Sequence, residues 1–329
     1  MTVEASPAAI RPDRLTEVLR GAGALASGQI SSVEILHSRS TVLSRIIRLR
    51  LVYDGDASKA PSTFIFKTGL PERLGNENWD AGRQEVAFYA DVADKMSALV
   101  PRCFEAAWDP QTRAWHLLLE DLNESHFIAT VWPLPPTREE CETVIRARAR
   151  FQATWWDDPR LGVSVGAWAD DNGMEHNLQR FAEQVRLFAD RVGDRLPRER
   201  RDLFERLIAE GPRLNARYRS HRHMTILQGD AHFWNCFLPR DGGADVRLFD
   251  WDCWRPDVGA DDLAYMIAMP GILTGGASWS VLYWIVITQR SWMQGCEDTT
   301  ARHWTMTTAS RSFGRSPRPC GKQIPRFRQ

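Results

Sequence analysis

No two cysteines of this chain sit at C-x-x-C spacing. The six, at 103, 141, 236, 253, 296 and 320, are scattered through 329 residues, and none has a histidine at metal-ligand spacing. That argues against a zinc site and a disulfide framework, and a reducing cytoplasm fits. Net charge is lacking too: 42 Lys+Arg balance 42 Asp+Glu. Nothing therefore draws the chain to nucleic acid or an anionic membrane. The N-terminus, Met-Thr-Val-Glu-Ala-Ser-Pro, has no basic segment followed by an apolar one, so no signal peptide is read. The apolar run Ser278–Ile287 is too short to span a bilayer. There is no G-x-S-x-G and no nucleophile partnered with a histidine, which sets a hydrolase aside. Repeats and low-complexity segments are absent. A chain of this length can bury a sizeable core, in one large or two coupled lobes.

What is present centres on Ile226–Asp252. Two short apolar runs, Met224–Leu227 and Val246–Phe249, read as buried strands, with Cys236–Leu238 a third. Asp241-Gly242-Gly243 supplies turn residues between the last two. The resulting hairpin is expected to fold Asp250 back beside a loop holding Asp230 and Asn235. Asp230, Asp250 and Asp252 then crowd one crevice. At about 4 Å and an effective dielectric near 20, each like-charge pair costs roughly 4 kcal/mol. A cation relieves that cost, and hard oxygen ligands favour Mg²⁺ or a relative.

The Asp-x-x-x-x-Asn spacing of Asp230 and Asn235, followed by a strand-borne Asp, is that of a kinase catalytic loop. Here the chain resembles the aminoglycoside phosphotransferase and choline kinase-like superfamily, including its ecdysteroid kinase-like branch. The resemblance rests on Gln228-Gly229-Asp230-Ala231-His232-Phe233-Trp234-Asn235, Phe249-Asp250-Trp251-Asp252 and Gly259-Ala260-Asp261-Asp262-Leu263-Ala264. It covers roughly residues 25–269. Where the family has His-Gly-Asp, Gln228 stands for the histidine, a change expected to be tolerated.

The resemblance implies an α+β, two-lobed protein-kinase-like fold. A small N-lobe with an antiparallel sheet would span 1–119, and a mainly helical C-lobe with the catalytic hairpin 120–269. It also implies roles: Asp230 as catalytic base, Asn235 and Asp250 as metal ligands, and His232 and Asp252 as supports. Asp261 and Asp262 would cap a helix and brace the catalytic loop.

In the N-terminal half, Pro12–Leu19 reads as a short amphipathic helix stopped by Gly21. Ile30–Ile35 and Ser44–Tyr53 read as strands. The segment between them, His37–Ser44, lies where a kinase-like lobe covers nucleotide phosphates, yet it contains no glycine. Its backbone and the hydroxyls of Ser38, Ser40 and Thr41 can contact phosphate; an ordinary polar hairpin turn fits the local sequence better.

Thr63–Lys67 is the next strand, and Lys67 matches the lysine that neutralises nucleotide phosphates. Lysines at strand ends are usually just solvated. A helix from Asp80 to Met96, with Val86, Ala90, Ala93 and Met96 on one face, carries Glu85, either the partner of Lys67 or a solvent-facing glutamate. Pro71–Trp79 is a polar insert before it. By resemblance, residues 119–122 form the hinge, with Glu120 and Leu122 offering backbone groups to adenine.

Thr137-Arg-Glu-Glu140 is a capping-box pattern, opening a helix with Val144, Ala147, Phe151 and Trp155 in one stripe. Met174–Gly193 is a second helix, its Leu178, Phe181, Val185, Phe188 and Val192 stepping by three and four. Pro197–Tyr218 is a third, expected to break near Gly211-Pro212. The arginines here, Arg146, Arg148 and Arg150 among them, read as solvated helix faces.

After Met269 the helical pattern collapses, and Arg311–Gln329 is basic and Pro-rich. Codons exist for Pro270–Gly275 whose shifted reading is Trp-Tyr-Pro-Asp-Arg, close to where relatives continue with a helix. The segment 270–329 is therefore read as a frameshifted tail.

Two functions stand side by side. One is an ATP- and Mg²⁺-dependent phosphotransferase acting on a small-molecule hydroxyl, with no nucleic-acid or membrane partner. The other is an impaired, pseudokinase-like module that binds nucleotide or ligand without transfer. Trp155, Trp156 and Trp168 suit either an acceptor pocket or core, and nothing in the sequence sets the oligomeric state.

Overall fold

The computed structural model describes residues 8–70, 81–130, 136–216 and 218–266. The insert Pro71–Trp79, the helix start at Asp80 and the 270–329 tail with its frameshift reading lie outside the described residues. Helix α1, Pro12–Gly21, opens on a proline at its first position, where the missing N–H costs nothing. Strands β1 (Gln29–Ser40), β2 (Ser44–Asp54), β3 (Thr63–Gly69), β4 (Cys103–Trp108) and β5 (Trp115–Glu120) form one antiparallel sheet in the order β1-β2-β3-β5-β4. The alternation in β2 holds: Ile47, Leu49 and Leu51 are buried while Arg48 and Arg50 point the other way. That buried face packs with Phe64, Phe66 and Leu118 against Leu15 and Leu19 of α1.

The strand ends differ from expectation at the first hairpin. His37–Ser40 belong to β1, paired with β2, and only residues 41–43 turn. Helix α2 spans Ala81–Asp91 and stops short of Met96; residues Ala93–Met96 form a separate 3₁₀ turn. Ala90 is exposed, and the buried apolar side chains are Val86, Phe88 and Tyr89.

α2 lies against the other sheet face and joins it to a second core. That core takes in α3 (Arg138–Thr154) and the strands β6 (His126–Ile128), β7 (Thr225–Leu227), β8 (Cys236–Pro239) and β9 (Arg247–Leu248). The capping box forms as read: the Thr137 side chain accepts from the Glu140 N–H, and the Glu140 carboxylate accepts from the Thr137 N–H. Val144, Ala147, Phe151 and Trp155 are all at most 1% exposed, so Trp155 is core and not pocket. Trp168 is partly buried and stacks on His221.

Helices α4 (Asp171–Val192) and α5 (Arg198–Ala216) pack chiefly on each other. The predicted α4 stripe does not become core: Phe181 and Phe188 are exposed, as are Leu203 and Leu207 of α5. One neighbouring helix covers only one flank. The expected break at Gly211-Pro212 is absent, and α5 runs through it. Pro212 faces outward, where water can bond the carbonyl its ring frees. Gly211 is buried where a Cβ would meet Leu178 of α4 at 2.4 Å, so the glycine sets the helix spacing.

β8 and β9 form the expected hairpin, joined to β6 in a three-stranded sheet. β7 pairs instead with β10 (Arg255–Asp257), which the sequence reading did not anticipate. Among the described residues no helix is long and apolar enough to cross a membrane.

Candidate active site

Four segments converge beside the central strand of the five-stranded sheet. β3 contributes Lys67 and α2 contributes Glu85. The turns after β7 and β9 contribute Asp230, Asn235, Asp250 and Asp252. Lys67 and Glu85 are 9% and 2% exposed, which rules out the solvated readings of both. The Lys67 ammonium lies 2.6 Å from one Glu85 oxygen and 2.5 Å from Asp250 Oδ1. Burial alone would lower Lys67, but the charges of Glu85 and Asp250 outweigh it and hold the lysine above its ordinary value. Burial pushes the Glu85 carboxyl up, to about 7, against the pull of Lys67.

Aromatic packing fixes this helix to the acidic hairpin. Phe88, one turn beyond Glu85, stacks on Trp251 at 3.9 Å with the rings 5° from parallel. Phe151 of α3 also stacks on Trp251, at 4.8 Å, and lies 6.4 Å from Phe88, so the three rings form one cluster. Trp251 is fully buried between Asp250 and Asp252 in the chain, so its packing anchors the backbone that carries both carboxylates.

Asp230 sits in a nest of donors. His232 Nε2 donates to Oδ2 at 3.1 Å, and Asn235 Nδ2 donates to the Asp230 carbonyl at 3.0 Å. Burial works to raise the Asp230 carboxyl, yet the bonds and charge from His232, with Tyr265 and Asn235, hold it below its usual range. It is an ionised acceptor at neutral pH. His232 also stacks on Trp234 at 3.9 Å, which fixes its ring plane. Asp252 is pushed up, first by burial and then by the charge of Asp250.

Asp250 has φ +68°, a left-handed conformation that costs a non-glycine residue about 1–3 kcal/mol. Gln228 holds it there. The Gln228 amide nitrogen donates to the carbonyls of Phe249, at 2.5 Å, and Asp250, at 3.3 Å. Its oxygen accepts from Arg148 Nη2 at 2.7 Å. Gln228, standing where the resemblance has a histidine, thus has specific partners for both its oxygen and its nitrogen. Arg148 is itself fully buried and also pairs with Asp262 at 2.9 Å, which corrects its reading as a solvated arginine. Asp262 accepts the N–H groups of Gln228 and Gly229, both at 2.9 Å, and so braces the loop before Asp230 as expected. Gly229, at φ +83°, passes so close to Cys253 that a Cβ would lie 2.3 Å from its carbonyl oxygen.

The crevice fits a hard divalent cation in part. Among the described residues no cluster of three or more His, Cys, Asp or Glu is close enough to hold a metal by itself. Mg²⁺ needs no such cage, since it usually keeps waters and binds one or two protein oxygens plus phosphates. Asn235 turns its nitrogen onto Asp230, leaving its amide oxygen for a cation. The mutual charge of Asp250 and Asp252 is what a cation would relieve.

The remaining predicted contacts are less direct. Thr41 Oγ1 is engaged inside the first hairpin, by the Ser44 carbonyl and the N–H groups of Leu43 and Ser44. Ser40 is exposed and paired across from Arg45. The tip nonetheless hangs over the end of β3 just beyond Lys67, since Ile46 pairs with Lys67. At the hinge, the Glu120 N–H donates to the Arg102 carbonyl and the Leu122 carbonyl accepts from His126. Any contact to a base there falls on their other backbone atoms. The segment expected to be the hinge has an anchor not foreseen from the sequence: Arg48 of β2 donates to Asp121 at 2.6 Å.

Residues 40–155 match the sequence profile of the ecdysteroid kinase-like family. The match holds Lys67, Glu85 and residues 119–122, and ends before the hairpin that carries Asp250. No curated protein matches the chain. Among solved structures, an aminoglycoside phosphotransferase from Streptomyces rimosus is similar at 15% identity. That match covers 89% of this chain and 94% of the other, with a TM-score of 0.46. A candidate aminoglycoside phosphotransferase from Ralstonia eutropha is similar at 14% identity, 85% and 81% coverage and a TM-score of 0.49. An amicoumacin kinase solved with AMP-PNP and Ca²⁺ is similar at 14% identity, 88% and 80% coverage and a TM-score of 0.46.

Proposed function

We propose that this chain, matched to the ecdysteroid kinase-like family and consistent with the wider aminoglycoside phosphotransferase and choline kinase-like superfamily, is a cytoplasmic small-molecule kinase. It would transfer the terminal phosphoryl group of ATP to a hydroxyl. The observation that carries this is the buried Lys67–Glu85 pair reaching Asp250, with Asp230 and Asn235 on the adjoining loop.

In this reading the division near Glu120 separates a nucleotide-binding half from a catalytic half. Lys67, held by Glu85, faces the phosphates. Glu120 and Leu122 offer backbone groups to the base, and the hairpin tip at Thr41, with Ser40 at the end of β1 beside it, covers the phosphates through its backbone. Asp230, kept ionised by His232 and its neighbours, would orient the acceptor hydroxyl and accept its proton as the new oxygen–phosphorus bond forms and the bond from the terminal phosphorus to the bridging oxygen of ADP breaks, ADP leaving. Asn235 and Asp250, with Asp252 in support, would hold Mg²⁺, whose charge would offset that of the phosphates. Positioning and charge neutralisation are the catalytic contributions this reaction requires.

The melting temperature with and without Mg·ATP tests the reading. A ligand at about 100 times its dissociation constant adds roughly 2.7 kcal/mol, a rise of a few degrees. Asp250→Asn is expected to lose that rise. Asp230→Asn is expected to keep it while losing phosphorylated product in an acceptor screen. A folded wild type with no Mg·ATP-dependent rise sinks the proposal. A rise without turnover of any hydroxyl acceptor favours the binding-module reading, to which the glycine-free hairpin tip already lends weight.

A further inference from the structure

One buried cluster is not used by the phosphoryl chemistry itself. Arg148 lies midway along α3, fully buried, and is 80 residues from Gln228 and 114 from Asp262 in sequence. One guanidinium arm goes to Asp262, which holds the backbone at Gln228 and Gly229 just before Asp230. The other arm goes to the oxygen of Gln228. An amide carries its acceptor and donor in one rigid plane, so fixing the oxygen also fixes the nitrogen. That nitrogen bonds the Phe249 and Asp250 carbonyls. A single guanidinium therefore reaches, at one remove, the backbone on both sides of the crevice. A brace for α3 alone would need only Asp262.

We propose that Arg148 and Gln228 act together as positioning residues for nucleotide binding. Arg148 orients the Gln228 amide, and that amide keeps Asp250 in its left-handed conformation, with its carboxylate toward Lys67 and the crevice. The inference rests on the reading of Asp250 as a nucleotide-side ligand.

Mg·ADP binding by titration calorimetry, read beside the melting temperature of each variant, tests it. Gln228→Leu is expected to raise the dissociation constant for Mg·ADP roughly tenfold to hundredfold, the usual effect of losing a partner that orients a ligand. Gln228→His, which keeps one acceptor and one N–H donor, is expected to recover most of that loss. Arg148→Met is expected to weaken binding in the wild-type background and to add nothing, within about twofold, once Gln228 is Leu. Its melting temperature falls in both backgrounds, because Asp262 is left buried and unpaired.

Additive effects on binding overturn the proposal. So does a Gln228→Leu protein that melts lower but binds Mg·ADP as wild type does, the signature of a merely structural role. If Arg148→Met does not fold, the comparison of Gln228→Leu with Gln228→His decides alone. A folded wild type that fails to bind Mg·ADP refutes the functional reading itself and this inference with it, and that measurement comes first.

Discussion

Replacing Lys67 by methionine keeps the bulk of the side chain and removes its charge from between Glu85 and Asp250. Breaking a buried ion pair by removing one partner costs about 3–5 kcal/mol when the remaining charge stays ionised. Glu85 has an escape, because burial already places its carboxyl at about 7. Without Lys67 the one large charge pulling it down is gone, and it takes up a proton over a wider range. A carboxyl whose folded value is raised supplies stability that is present below its unfolded value and lost as pH rises through the folded value. In the wild type that loss levels off above about 7. In Lys67→Met it continues upward at about 1.4 kcal/mol per pH unit. The penalty of the substitution, measured by urea unfolding followed by tryptophan fluorescence, should thus be about 2 kcal/mol larger at pH 8.5 than at pH 6.5. Adding Glu85→Gln should flatten that difference. An equal penalty at both pH values would refute the assignment of Glu85 as the ionised partner of Lys67.

Nucleotide affinity should rise from pH 6 to 8 as Glu85 ionises, with the limb absent in Glu85→Gln; Asp230, held low, should add no limb above its ordinary range of about 4. Calorimetric titrations across that range would check both statements. Phe88→Ala should cost about 3–5 kcal/mol of unfolding free energy, because the ring is fully buried against Trp251. It should also weaken Mg·ATP binding, since the stack sets Glu85 against Asp250. Thr137→Ala should cost about 1 kcal/mol through loss of the capping box, with nucleotide binding unchanged.

Much of the site was legible because its chemistry depends on short spacings. Asp230 and Asn235 share one loop, so their separation in sequence is nearly their separation in space. The hairpin with its Asp-Gly-Gly turn brings Asp250 back to that loop, and Phe249 N–H bonds the Asn235 carbonyl at 3.1 Å. The capping box at Thr137 is equally local. Lys67 and Glu85 were harder: a strand-end lysine and a helix glutamate are usually solvated. Their pairing needed α2 to lie across the sheet.

Other features were closed to the sequence for physical reasons. Three arginines alternate along α3, and composition gives no hint that Arg148 alone turns inward to Asp262 and Gln228. The stripe on α4 has correct helical period, but period identifies an apolar face and says nothing about whether a partner covers it. Ala90 and Pro212 show the same limit: whether a residue is buried, or a proline tolerated, depends on which neighbour stands beside it. By itself, the order of residues determined the candidate reacting groups, the turns that present them and most of the strands and helices that carry them. Only the tertiary structure decided which charges are buried together. Desolvation and pairing depend on distances between segments that are far apart along the chain, and these become fixed when Phe88, Trp251 and Phe151 stack and the core closes around them.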